Sequence, residues 1–237
     1  MNATSFTERF LAYLPVLLHG ASMTLIVAAS AIVIGFVLGA ALLGLSLHRR
    51  GQGVLPRAVA LYVSFFRGTP LLVQLLMLFY LPSAVGLDMP PLLVAILAMS
   101  LNSGAFQSEI LRAGLTAVPK GQVEAAAIFG LSARQVFRYV QLPQVARAVW
   151  PAVVSEAIDV VKNSSIVSVI AVAELARGGR QIVAANFRPL EVYLTVGATY
   201  LLMTGAIFVL GTWLGRRMGQ GPRASAAVMN RVAINKT

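Results

Sequence analysis

From Phe10 to Leu47 the chain contains no Asp, Glu, Lys or Arg. The hydrocarbon core of a bilayer is about 30 Å thick and takes about 20 apolar residues to cross as a helix. The run therefore holds one long span, placed from about Ser22 to Leu47. Composition extends the argument to the whole chain. A soluble domain carries about 25% charged residues; here only 11% of 237 residues are charged and 58% are hydrophobic, with a mean hydropathy of +0.80. The class is an integral membrane protein. The first ten residues set Glu8 against Arg9 with no positive n-region, so they do not read as a signal peptide. Cysteine is absent, which excludes disulfide frameworks and thiolate metal sites.

Four further spans follow, at about 57–82 (interrupted by Arg67), 91–111, 148–172 and 192–215. Basic residues collect on the cytoplasmic side of a membrane. With the N-terminus outside, segments 48–57, 112–147 and 216–237 lie inside and hold three, five and five Lys or Arg. The outer segments hold four: Arg9, Arg177, Arg180 and Arg188. The fold class expected is thus all-α integral membrane with five transmembrane helices, N-out and C-in. One membrane domain covers 1–217, and 218–237 reads as a cytoplasmic tail. The net charge of +11 follows from this topology and not from nucleic-acid binding, since no basic run is interleaved with aromatics. Gly35 and Gly39 in the first span, and Gly205 and Gly211 in the fifth, are small residues suited to close helix packing.

Segment 119–143, between the third and fourth spans, reads as two short cytoplasmic helices. The first is expected from Gln122 to Phe129, with Glu124 near the positive end of its dipole. Gly130 stands where a left-handed stop belongs. Ser132 and Gln135 form a capping-box pattern opening the second helix, which Leu142-Pro143 is expected to end. Ala125, Ala126 and Ala127, beside Val123 and Phe129, make a short knob of small side chains. Such a knob enters a partner's groove closely; a plain amphipathic connector is the alternative.

Glu124-Ala125-Ala126, three residues, Gly130, nine residues, then Val140-Gln141-Leu142-Pro143 resembles the cytoplasmic loop of permeases of bacterial ATP-binding-cassette importers. The single departure is Val140 where the family has Ile. Further stretches resemble the polar amino acid uptake subfamily: Phe66-Arg67-Gly68-Thr69-Pro70 through Gln74, Glu109 to Gln122, Lys162-Asn163-Ser164-Ser165-Ile166, and Phe187 to Glu191. The resemblance covers roughly 14–217. It implies that Gln122, Glu124, Ala125, Ala126, Gly130, Leu142 and Pro143 belong to a coupling helix and loop docking on an ATPase subunit. It also implies a second permease subunit (the same chain or another), an external solute-binding protein, a polar amino acid as cargo, and a place in the bacterial inner membrane. No P-loop is present, since none of Lys120, Lys162 and Lys236 follows a glycine. The chain itself is expected to hold no cofactor, with ATP and Mg in the partner.

Ionisable residues inside a span mark a pathway or a pair. Glu156, Asp159 and Lys162 recur at i,i+3 spacing on one side of the fourth span, followed by Ser164 and Ser165. Either the acids face a central cavity and receive a substrate cation, or they pair with Lys162 or a neighbouring helix. Arg67, Glu109 and Arg112 read as an ion network, structural or gate-side. His19 and His48 read as interface and flank residues rather than metal ligands, and Trp150 and Trp213 as interface anchors. No catalytic constellation is visible. The rival readings are an ion-driven secondary transporter, against which the unpaired five spans argue, and a non-transporting scaffold, against which the intramembrane acids argue.

Overall fold

The structure, a computed structural model, describes residues 6–47 and 53–219, with side chains from Phe10 onward. His48, Arg49 and most of the tail lie outside the described residues, as do the side chains of Glu8 and Arg9. Every regular element among the described residues is helical: α1 (Phe6–Leu47), α2 (Val54–Gly68), α3 (Leu71–Ala84), α4 (Pro91–Thr116), α5 (Lys120–Ile128), α6 (Ala133–Gln135), a π-helix (Val136–Gln141), α7 (Leu142–Asn163), a 3-10 helix (Ser164–Ile170), α8 (Leu175–Asn186) and α9 (Pro189–Arg217). Three helices are long and apolar enough to cross a membrane: α1 over Phe10–Leu47, α4 and α9. The pair α2–α3 makes a fourth if counted as one broken span, bent by 109°.

The boundaries differ from expectation in ways the backbone explains. The second span is not straight, because Pro70 offers no N–H to a continuing helix and forces Thr69 out of the α region; Thr69 sits at φ −118°, ψ 149°. Stretch 148–172 is not one helix either. It divides at Asn163 into α7 and the 3-10 turn, which ends at Ala171 in a left-handed conformation (φ 68°).

The described residues form two compact units. The first comprises the chain up to residue 109 together with 156–205. Within it α1 and α4 touch backbone to backbone: a Cβ at Gly35 would stand 2.9 Å from Ser103 Cβ, and one at Gly39 2.6 Å from Gln107 Cβ. Both glycines are therefore packing positions. Leu17, Ala21, Leu175, Ile182, Val192 and Val196 close a core between α1, α8 and α9. Glu174, buried, caps α8 by accepting from Ala176 N and Arg177 N, and it also accepts from the Tyr200 hydroxyl. Burial pushes its carboxyl above the usual range, against the pull of these donors and of Arg180. The α2–α3 bend is closed by a side chain: Gln74 Nε2 donates to the carbonyls of Phe66 (2.9 Å) and Thr69 (3.0 Å). These are acceptors that the broken helix leaves without N–H partners, a debt that apolar surroundings make costly.

The second unit comprises 110–155 and the chain from 206 onward. Val118, Val145 and Val149 form its core. A Cβ at Gly211 would meet Val154 at 2.6 Å, so this glycine is a packing position; Gly205, in the first unit, has open space around it and is not. Trp150 Nε1 donates to Gly211 O at 2.7 Å, so its polar edge faces α9. Two expectations about 119–143 need correction. Helix α5 begins at Lys120, two residues early, which puts Glu124 beyond the first turn and leaves that turn without an acid. Leu142-Pro143 does not end a helix, because it lies in the first turn of α7. The helix arrives there through the π-helix Val136–Gln141, closed by Leu142 N donating to Phe137 O, so Pro143 stands where the wide turn hands over to α7.

Candidate functional site

A cavity of about 130 Å³ opens inside the first unit. Its apolar wall is Leu71, Met99, Phe106 and Val160; its polar groups are Asn102, Glu156, Asp159 and Asn163. The i,i+3 spacing of Glu156 and Asp159 brings both carboxylates to this cavity, and Asn163 follows one turn on. From α4, Met99, Asn102 and Phe106 face the same space at i,i+3,i+7 spacing. Glu156 Oε1 accepts from Ser103 Oγ at 2.9 Å. Asp159 Oδ1 meets Lys162 Nζ at 2.6 Å, an exposed i,i+3 pair. Asp159 is thus paired with Lys162 and also lines the cavity. Ser164 and Ser165 behave differently, since their hydroxyls donate to Val161 O (2.7 Å) and Lys162 O (2.9 Å) and serve the turn itself. Asn102 and Asn163 were not singled out as site residues. For Asn102 the available signal was a polar side chain on the apolar α4.

Arg67 and Glu109 do meet, Nη1 to Oε2 at 3.7 Å, with Arg67 also stacked over the Phe106 ring at 5.5 Å. Arg112 belongs to the second unit. A partly exposed pair at this distance contributes about 0–1 kcal/mol. Arg67→Glu is expected to lower the thermal midpoint of the purified protein, and the exchange Arg67→Glu with Glu109→Arg to restore it. Restored stability without restored uptake would assign the pair a role beyond holding α2 to α4.

In the second unit, α5 ends in a pair of bonds of Schellman type, Gly130 N to Ala127 O (3.0 Å) and Leu131 N to Ala126 O (3.2 Å), with Gly130 at φ 82°. The Ser132–Gln135 capping box is formed in both directions. Gln122 reaches across to the next helix, its Oε1 accepting from Gln144 Nε2 at 2.7 Å. What α5 presents outward is a knob: Glu124 and Ala125 are exposed, Ala126 is half-exposed, and Ile128 and Phe129 are each 84% exposed.

Polar groups gathered between apolar helices fit a membrane permease. Residues 31–220 match the family described as binding-protein-dependent transport system inner membrane component, and the chain belongs to that family. The glutamine transport system permease protein of Escherichia coli (strain K12) is 35% identical over 207 residues, covering 86% of this chain and 94% of its own. The arginine transport system permease protein of Bacillus subtilis (strain 168) is 34% identical over 208 residues, covering 86% and 93%. Among solved structures, an amino acid ABC transporter crystallised with histidines superposes with a TM-score of 0.83 at 33% identity, over 91% of this chain and 99% of that one. The chain is therefore a transport subunit, and ATP hydrolysis resides in a separate chain, as the missing P-loop predicts.

Proposed function

We propose that this permease works in a bacterial inner membrane as one of two membrane subunits importing a polar amino acid. It crosses the membrane five times, N-out and C-in, with the broken α2–α3 pair as the second crossing and α7 with its 3-10 turn as the fourth. An external solute-binding protein delivers the cargo, and the cavity bounded by Glu156 and Asp159 receives the ammonium or guanidinium group. Helix α5 enters a groove on the ATPase, so closure of the ATPase dimer is transmitted through 120–129 to the membrane helices. The carrying observation is the acidic cavity, found in a chain whose matched relatives are named as glutamine and arginine permeases.

The test is uptake into proteoliposomes holding the permease, its ATPase and its binding protein, with L-glutamine and L-arginine as probes. Uptake is expected to require internal ATP and to be absent when only an ion gradient is imposed. Glu156→Gln with Asp159→Asn is expected to lower uptake about tenfold or more, since a hydrogen bond to a charged group contributes about 1.5–3 kcal/mol. Gradient-driven uptake without ATP would overturn the importer reading. Unchanged uptake by the double variant would overturn the cavity reading alone.

A further inference from the structure

Two side-chain amides fix each other's orientation beside the acidic cavity. Gln74 is buried on α3, and its Nε2 lies 2.9 Å from Phe66 O, 3.0 Å from Thr69 O and 2.8 Å from Thr69 Oγ1. Backbone carbonyls only accept, so the atom facing them must be the amide nitrogen, and Gln74 Oε1 is left as an acceptor. On α4, Asn102 sets Nδ2 3.1 Å from Phe66 O and 2.9 Å from that same Gln74 Oε1. Both neighbours are acceptors, so this amide has one allowed orientation as well. A flipped Asn102 would face two oxygens with a third.

The two N–H groups of Asn102 are thus both committed to Phe66 and Gln74. Its carbonyl oxygen is the amide's remaining group, and among the described residues no donor meets it. Asn102 lines the cavity together with Glu156 and Asp159, whereas Gln74 is not part of that lining. Glu156 Oε1 and Asp159 Oδ1 are engaged by Ser103 and Lys162, which leaves each acid a second oxygen.

We infer that Asn102 is a specificity-determining residue of the cavity, held by Gln74 with its carbonyl oxygen available to accept an N–H from the side chain of the transported amino acid. The inference rests on the cavity being the place where substrate binds. The acceptor Asn102 Oδ1 favours a side chain rich in donors, such as a guanidinium or ammonium, over one of similar length with none. Gln74 acts at a distance as a positioning residue. Without it Asn102 keeps Phe66 as a partner but loses the constraint on its second N–H.

The experiment uses the complete permease–ATPase complex in detergent, with calorimetric affinities for L-arginine and L-methionine as probes. Wild type is expected to bind L-arginine at least about tenfold more tightly than L-methionine. Asn102→Ala is expected to remove about tenfold of L-arginine affinity and leave L-methionine unchanged; Asn102→Ser is the alternative if the alanine variant does not yield a folded complex. Gln74→Leu is expected to remove part of the same preference, and to remove nothing more once Asn102 has been changed. An unchanged affinity ratio in the Asn102 variants, equal losses for both probes, additive losses in the double variant, or a wild type without preference would each overturn the inference. Glu156→Gln with Asp159→Asn separates the two levels. If that variant weakens L-arginine binding while the Asn102 variants leave the ratio intact, the cavity stands and only the inference falls. If it changes neither affinity, the cavity reading itself falls.

Discussion

Replacing Ile128 and Phe129 together with aspartate is expected to abolish ATP-driven uptake while leaving the permease folded. Both side chains are 84% exposed at the end of α5, so the isolated chain loses almost no buried contact when they change. If α5 enters a groove on the ATPase, these are the apolar side chains that the groove desolvates. Aromatic anchors at interfaces commonly cost about 2 kcal/mol or more on truncation. Two such losses together weaken association by roughly a thousandfold. Introducing carboxylates adds the expense of burying charge in the same place. The measurements are co-purification of the ATPase, uptake in proteoliposomes, and the thermal midpoint of the permease alone. Normal co-purification and uptake by the double variant would remove 120–129 as the docking element.

Gly39→Ala is expected to destabilise the fold strongly for a single added methyl group. A Cβ at Gly39 would lie 2.6 Å from Gln107 Cβ and 2.9 Å from Ser108 N, and the second of these is backbone that cannot swing aside. Overpacking of this kind costs about 1–3 kcal/mol. Gly44, on the same helix, has nothing within 4 Å of an added Cβ. Gly44→Ala is expected to be neutral or slightly stabilising, because alanine is the better helix former by about 1 kcal/mol. The comparison cancels helix propensity and isolates the α1–α4 contact. Equal thermal midpoints for the two variants would mean that the helices do not approach at Gly39.

Which features were legible follows from the range of the interactions that create them. The capping box at Ser132 and Gln135 and the left-handed stop at Gly130 act over three or four residues and were readable directly. The recurrence of Glu156 and Asp159 at helical spacing put them on one face, and the structure gives that face a cavity. Proline was harder, because its effect depends on position. Pro70 stands at a break between two helices, whereas Pro143 lies where a π-helix passes into α7 without a break. The apolar count across 57–82 gave one span interrupted by Arg67 and said nothing of a bend, because hydropathy carries no information about direction. Asn102 stayed hidden for a different reason: its partners on α2 and α3 are 36 and 28 residues away. No local pattern announces such a meeting.

The bend between α2 and α3 has a consequence for how the protein is assembled. Its own closure is short-range, since Gln74 reaches Thr69 and Phe66 across only five and eight residues. Local contacts cost little chain entropy and form early. Asn102 joins from α4 only after a further stretch of chain has been made. The α2–α3 elbow is thus closed by contacts within 66–74 and needs nothing from α4 to make them. What α4 adds is Asn102, whose amide takes its orientation from the acceptors that the elbow presents.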